Sequence, residues 1–98
     1  MPDSILLMRN DATAPVEVDA WGPYIAGLNA AGAFEGGSAI GEGVCVRKSG
    51  VAGAITAHLR GYTRITAPSL EAARALLAGN AVFEAGGTVE TRELPRTD

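Results

Sequence analysis

The chain has 98 residues, 47% of them hydrophobic and 19% charged, which is the balance of a single folded domain spanning residues 1–98. Its net charge of −3 argues against nucleic acid as a partner, and no apolar run reaches the roughly 18 residues that cross a membrane. The single cysteine, Cys45, excludes an internal disulfide and a multi-thiolate metal site. Because the N-terminus lacks a signal-peptide pattern, we expect a cytoplasmic protein, and no motif predicts a metal or another cofactor.

A buried strand and an amphipathic helix are predicted in the first third of the chain. The apolar run at residues 5–9 predicts the strand, and the polar residues after it predict a loop. Four apolar residues then recur at helical spacing: Val18, Trp21, Ile25 and Leu28. We expect Asp19 to cap this helix, Pro23 to lie in its first turn, and Gly32 to end it in a left-handed conformation.

The middle of the chain predicts a strand and a hairpin. Residues 34–40 read as a second strand, and the two consecutive glycines inside it indicate a bulge or a close approach of backbones. A further strand is predicted at residues 44–47, followed by a tight turn at 48–50. We expect residues 52–58 to return as the partner strand of this hairpin.

The last third predicts a strand, a helix and a final strand. Residues 61–66 are rich in β-branched and aromatic side chains, which favour a strand. Ser69 is the expected N-cap of the second helix, and Gly79-Asn80 are expected to stop it. Four residues form its predicted apolar face: Leu70, Ala73, Leu76 and Leu77. The final strand is predicted at residues 88–94.

This order of elements predicts an α+β domain of the ferredoxin-like βαββαβ type, with one antiparallel sheet and both helices on one face. The other face of the sheet must then meet solvent or a second copy. In a chain of this length a face-to-face homodimer buries that surface most simply. We expect residues 1–4 and 95–98 to be frayed.

Several short segments resemble a known family, and they are spread over nearly the whole chain. They are residues 61–65 (Gly-Tyr-Thr-Arg-Ile), 69–73 (Ser-Leu-Glu-Ala-Ala), 80–83 (Asn-Ala-Val-Phe), 86–92 (Gly-Gly-Thr-Val-Glu-Thr-Arg), 5–8 and 36–38. Together they resemble the YCII-related family, including its DGPF-type branch, within the dimeric α/β-barrel group. The resemblance implies a ferredoxin-like domain whose two copies form a barrel. Some members of the family are cofactor-free enzymes that eliminate from, or isomerise, small ring compounds.

Two departures from the family pattern bear on function. The DGPF stretch falls on residues 49–52, where only the glycine is kept. The histidine that works with an aspartate in one branch falls on Trp21 in this chain. The resemblance therefore implies the fold and the dimer, but it does not carry over an acid–base pair.

Five residues are candidates for a site. His58 is the single histidine, the residue type whose ordinary pKa lies nearest neutrality, and it is either a general base or a surface histidine without a role. Arg9 and Tyr62 would hold a negative charge on a substrate, whereas the alternative is that the strand arginines pair with acidic residues, Glu90 or Glu35.

Ser38 follows the paired glycines, where backbone N–H groups either bind an anion or simply form a bulge. Trp21 either stacks over a ligand or belongs to the core. Cys45 is either a structural thiol or, if a base lies nearby, a nucleophile.

Three functions follow from these readings. The first is a cofactor-independent lyase or isomerase acting on a small cyclic or acidic molecule, with His58 moving a proton. The second is a non-catalytic dimeric module that binds a small molecule or a protein, and the third is a structural dimer without a pocket. A concave pocket lined by Arg9, Trp21 and His58 would favour the first. In every case we expect the partner to be a second copy, with a possible small-molecule ligand, and neither nucleic acid nor a membrane.

Overall fold

A computed structural model describes residues 2–95 and folds them into a four-stranded antiparallel sheet with helices packed on one face. The elements are β1 (Asp3–Arg9), a 3-10 turn (Val18–Ala20), α1 (Trp21–Ala30), β2 (Phe34–Ala39), β3 (Leu59–Thr66), α2 (Leu70–Ala75), α3 (Ala81–Glu84) and β4 (Val89–Leu94). The predicted α+β class is confirmed, and the strand order β2-β3-β1-β4 is compatible with a ferredoxin-like fold. None of the helices within residues 2–95 is long and apolar enough to cross a membrane.

The core lies between the helices and one face of the two central strands. Burial alternates along β1, where Leu6 and Met8 are buried while Ile5 and Leu7 are only half-buried. This alternation follows from the period of two of a strand, which sends successive side chains to opposite faces. The buried cluster combines residues of both layers: Leu6, Met8, Ile65, Ala67, Tyr24, Leu28, Ala73, Leu77 and Val82. The opposite side of the sheet, here called the open face, carries no helix among the described residues.

The start of α1 differs from its prediction. Asp19 lies inside the 3-10 turn, and Ala20 occupies the N-cap without a side-chain hydrogen bond, so the predicted cap is wrong. Val18 is 74% exposed, because the tighter 3-10 turn rotates it away from the buried face of the helix. Pro23 does lie in the first turn, and Gly32 follows the helix with a φ of 69°. Both of these predictions are confirmed.

The bulge predicted in β2 is confirmed. The pairing of β2 with β3 shifts between Phe34 and Gly36, and Gly36 has a φ of 130° that side-chain-bearing residues rarely adopt. Phe34 packs against the core, whereas Ser38 lies opposite Tyr62 on the open face.

The predicted hairpin at residues 44–58 is wrong. Residues 40–58, here called the arm, contain no strand, and their exposed valines include Val44, Val46 and Val51 at 83%, 86% and 87%. An alternating sequence forms a stable strand only where one face is covered, and no described residue covers this one. The chain still turns at residues 48–50, where Arg47 Nη1 donates to the carbonyl oxygen of Val51 at 3.2 Å, and the segments before and after this turn are the two limbs of the arm.

The second helical region is confirmed in part. Ser69 caps α2 by accepting a hydrogen bond from the N–H of Ala72 at 3.1 Å. Ala73 and Leu77 are buried as predicted, but Leu70 is 42% exposed because it lies at the first position of the helix, beside the cap. The predicted end at Gly79-Asn80 is wrong, because α2 ends at Ala75 and the chain continues in turns to Gly79, whose φ is 89°.

A short helix, α3, follows that the sequence did not predict. The side chain of Asn80 is completely buried, and its Oδ1 accepts from the N–H groups of Val82 and Phe83, both at 3.1 Å. Asn80, predicted to help stop the second helix, instead caps the next one.

Of the predicted frayed tails, Asp3 and Ser4 belong to β1, because both pair with β3 and with β4. That part of the prediction is wrong. Met1 and residues 96–98 lie outside the described residues.

Candidate functional site

A groove of about 380 Å³ lies between α1 and the edge of the sheet formed by β2 and β3. Its side walls are apolar and come from Met8, Trp21, Ile25 and Phe34. Trp21 and Ile25 are four residues apart on α1, so both face the sheet from one side of the helix. Trp21 is also held edge-on by Tyr24, with ring centroids 6.0 Å apart and an interplanar angle of 66°.

The groove exists because its floor is almost free of side chains. The residues of β2 and β3 that face α1 include Gly37, Ala39 and Gly61. A Cβ on Gly37 would lie 2.7 Å from the carbonyl oxygen of Tyr62, and one on Gly61 would lie 3.2 Å from that of Ser38. Close pairing of the two strands therefore requires glycine at position 37, and the same choice leaves the space beneath α1 unfilled.

Ser38 and Tyr62 border the groove through their strands, but their side chains belong to the open face. They alternate with Gly37, Gly61 and Thr63, which face the helices. Pairing across all four strands places Ser38, Tyr62, Leu7 and Glu90 in one row of the open face.

A polar cluster lies at the end of that row. Arg9 binds the carboxylate of Glu90 through Nε at 3.1 Å and Nη2 at 2.8 Å. The hydrogen bond from Arg9 lowers the pKa of Glu90, and the positive charges of Arg9, Arg92 and His58 lower it further. The backbone of His58 lies beside this pair, because its carbonyl oxygen accepts a hydrogen bond of 2.9 Å from the N–H of Asn10, the residue after Arg9.

The structure thus separates the five predicted site residues. Arg9, Ser38 and Tyr62 belong to the open face, and exposed His58 lies near its Glu90. Trp21 lies on the other side of the sheet, in the groove, which is lined by neither Arg9 nor His58. The pocket that would have joined Arg9, Trp21 and His58 is not formed by residues 2–95.

Two of the strand arginines, Arg9 and Arg64, form ion pairs as the alternative interpretation required, with one change of partner. Arg9 pairs with Glu90, while Arg64 pairs with Asp3, which raises the pKa of Arg64. Glu35 accepts a hydrogen bond from the Thr66 hydroxyl at 2.7 Å instead of pairing with an arginine in a salt bridge.

Cys45 lies exposed in the arm. Within the described part of the chain, no group of three His, Cys, Asp or Glu side chains is arranged as metal ligands would be.

Sequence reasoning missed the groove itself, because its walls and floor come from four elements. The sequence placed Met8 in a buried strand and Ile25 on the apolar face of a helix, while Phe34 and Gly61 were predicted only as parts of strands. One signal pointed to it: a glycine inside a strand often marks close approach of another backbone or a ligand.

No family model matches the chain, and no curated protein or solved structure matches it significantly. The resemblance to the YCII-related family therefore depends on the sequence segments quoted above.

Proposed function

We propose that this protein is a cytoplasmic, YCII-like homodimer whose function is to bind a small molecule in the groove beneath α1. The groove itself is the observation that carries the proposal. Its volume of about 380 Å³ lies within the range of small-molecule sites, roughly 300–1,000 Å³. Its walls are predominantly apolar, and its polar groups include the Thr63 side chain, the backbone of β2 and β3, and Arg60, which is exposed at the rim.

Dimerisation through the open face is the second part of the proposal. Ile5, Leu7 and Tyr62 are half-buried there, although no helix within residues 2–95 covers them. The molecule is only 19 Å thick along its shortest axis, as expected for one sheet and one layer of helices. A second copy would bury these side chains and complete a second layer on the sheet.

A cofactor-independent lyase or isomerase is the second candidate function, and the cluster of Arg9, Glu90 and His58 favours it. In this reading, the neutral imidazole of His58 takes a proton from the substrate and later returns it, while Glu90, held by Arg9, stabilises the imidazolium formed between the two transfers. The substrate would then lie on the open face, between the two copies, rather than in the groove.

One experiment distinguishes the two functions. A panel of small phenols, lactones, carboxylates and phosphates is tested for thermal stabilisation of the wild type, Trp21→Ala and His58→Ala. Binding in the groove predicts a saturable increase in Tm that is lost in Trp21→Ala and kept in His58→Ala. An increase that depends on His58 and not on Trp21 would favour the open-face enzyme instead.

The dimer is tested separately by light scattering at micromolar concentration. We expect a dimer for the wild type and a monomer for Leu7→Arg, because an unpaired charge would lie in the centre of the interface. Val18→Arg serves as the control, since Val18 is exposed on the helical side. A monomeric wild type would contradict the proposal.

A further inference from the structure

We propose that the arm, residues 40–58, is the missing outer wall of the groove and closes over an uncharged, ring-sized apolar ligand. This inference rests on the proposed function of the groove and adds the class of ligand and the element that encloses it.

The position of the arm supports this assignment. The arm leaves β2 directly after Ala39 and rejoins β3 at Leu59, and both Ala39 and Arg60 line the groove. Its base is fixed, because the N–H of Ile40 donates to the carbonyl oxygen of Arg60 at 2.9 Å. The side chain of Asn10 adds a hydrogen bond of 2.9 Å to the carbonyl oxygen of Ala57. The arm is thus anchored beside the groove at both ends and free between them.

The surface of the arm is unusually apolar for a segment that faces solvent. Five of the large apolar residues exposed within residues 2–95 lie in it: Ile40, Val44, Val46, Val51 and Ile55. Connections longer than about 12–15 residues without secondary structure are uncommon in compact domains and are often binding-site lids. An apolar groove with an open side and an apolar arm anchored at its edge are complementary in chemistry. Closure would remove both surfaces from water.

The arm is also built to move as a unit. Gly41, Gly43 and Gly53 have open space or ordinary contact distances around their Cβ positions, so glycine is not required there for packing. Ile55 Cδ1 lies 3.6 Å from the position that a Cβ on Gly43 would occupy, so the two limbs run close together at this point. Glycines near the base supply backbone freedom, while the contacts between the limbs preserve the hairpin-like course.

The groove-facing side chains indicate an uncharged ligand. Those that point towards α1 are apolar except for the Thr63 hydroxyl, and no acidic residue lines the groove. Arg60 is exposed, at the point where the pairing of β1 with β3 shifts. A cation enclosed by the arm would lose water without meeting an acidic partner, and an anion would meet only the exposed guanidinium of Arg60, so the lining favours an uncharged ring.

The chain supplies its own probes for a test. Trp21 is the single tryptophan and lies in the groove, while the single lysine, Lys48, and the single cysteine, Cys45, lie in the arm. We would titrate the dimeric protein with cyclohexanol, cyclohexanecarboxylate and cyclohexylamine, three probes that share one ring and differ in charge. Trp21 fluorescence reports occupancy of the groove, and cleavage by lysyl endopeptidase after Lys48 reports closure of the arm.

We expect saturable binding of cyclohexanol that exceeds that of either charged analogue, together with slower cleavage at Lys48. In the double variant Val44→Ser/Val46→Ser, the affinity for cyclohexanol should fall at least about fivefold, because apolar surface over the ligand is lost. The slowing of cleavage should also disappear. The matched control is Val18→Ser, which removes an equally exposed valine outside the arm and should change neither readout.

Each other outcome has a distinct meaning. If the double variant binds cyclohexanol as tightly as the wild type, and cyclohexanol does not slow cleavage at Lys48, the arm does not close over the ligand. The groove would then remain a binding site without a closing arm. Tighter binding of cyclohexanecarboxylate would overturn the uncharged class and point to Arg60. If none of the probes changes Trp21 fluorescence, both the inference and the proposed function fail. If the double variant turns a dimer into a monomer, the arm covers a second copy rather than the groove.

Discussion

The central strand β1 and the arm carry similar apolar side chains, but the structure treats them in opposite ways. Leu6 and Met8 in β1 are buried beneath the helices, whereas Val44 and Val46 in the arm face solvent. β1 pairs with a strand on each side, and the arm has no strand pairing at all. An apolar alternation therefore specifies a strand only where a second layer removes one of its faces from water.

The two regions also differ in how their polar groups are used. Around β1 and β3, ion pairs and side-chain hydrogen bonds link residues more than 60 positions apart, as in Arg9–Glu90 and Arg64–Asp3. In the arm, long-range links occur only at its two ends, and between them Arg47 reaches only Val51, four residues away. Long-range links hold the sheet in one arrangement, while local links leave the arm free to take another.

The largest expected difference between the two regions is in the free energy of unfolding lost when an apolar side chain is truncated. Leu6→Ala should lower the free energy of unfolding by about 2–5 kcal/mol, because it removes a fully buried side chain and leaves a cavity. Val46→Ala should change it by less than about 0.5 kcal/mol, since that side chain already faces solvent. Urea denaturation of both variants measures the contrast. If Val46→Ala lowered the free energy of unfolding by nearly as much as Leu6→Ala, the arm would have to be covered in solution.

A pair of glycine substitutions sharpens the comparison. Gly37→Ala should destabilise the protein by about 1–3 kcal/mol, because its Cβ would lie 2.7 Å from the Tyr62 carbonyl oxygen. Gly53→Ala in the arm meets no atom within 4 Å and should be neutral or slightly stabilising. Thermal unfolding of the two variants tests this. If both were neutral, β2 and β3 would not be packed as closely as described.

Proteolysis separates the regions directly. Without ligand, lysyl endopeptidase should cut after Lys48, and the two fragments should stay together with unchanged Trp21 fluorescence. The reason is that an exposed segment without strand pairing fits a protease, while paired strands do not. In the control Lys48→Arg/Arg64→Lys, the lysine lies in β3, and the protein should resist cleavage under the same conditions. Equal cleavage of both proteins would indicate global unfolding.

The smallest expected effect concerns the ion pair of the open face. The hydrogen bond from Arg9 lowers the pKa of Glu90 below its ordinary value of 4.5 in the folded protein. Its stabilisation is therefore fully present above that ordinary value and is lost as the pH falls through the lowered pKa. Glu90→Gln should lose less stability on acidification than the wild type, as measured by urea denaturation at pH 6 and pH 3. A steeper loss in the variant would contradict the pairing, and Glu71→Gln on α2 is the control.

The sequence by itself determined the elements whose signals are local. The strands at β1, β3 and β4, the Ser69 cap and the turn at Gly32 all follow from neighbouring residues, because backbone geometry and short-range hydrogen bonds specify them. The bulge in β2 was readable for the same reason, since paired glycines in a strand have few other uses.

Only the tertiary structure decided which apolar segments pack against a second layer and are buried. It left the arm without strands and buried Asn80 as the cap of α3. It also assigned Trp21 to the groove and Arg9, Ser38 and Tyr62 to the open face. These outcomes depend on contacts between elements far apart in the chain. Burial and pairing of this kind are properties of the assembled layers, and a local pattern does not contain them.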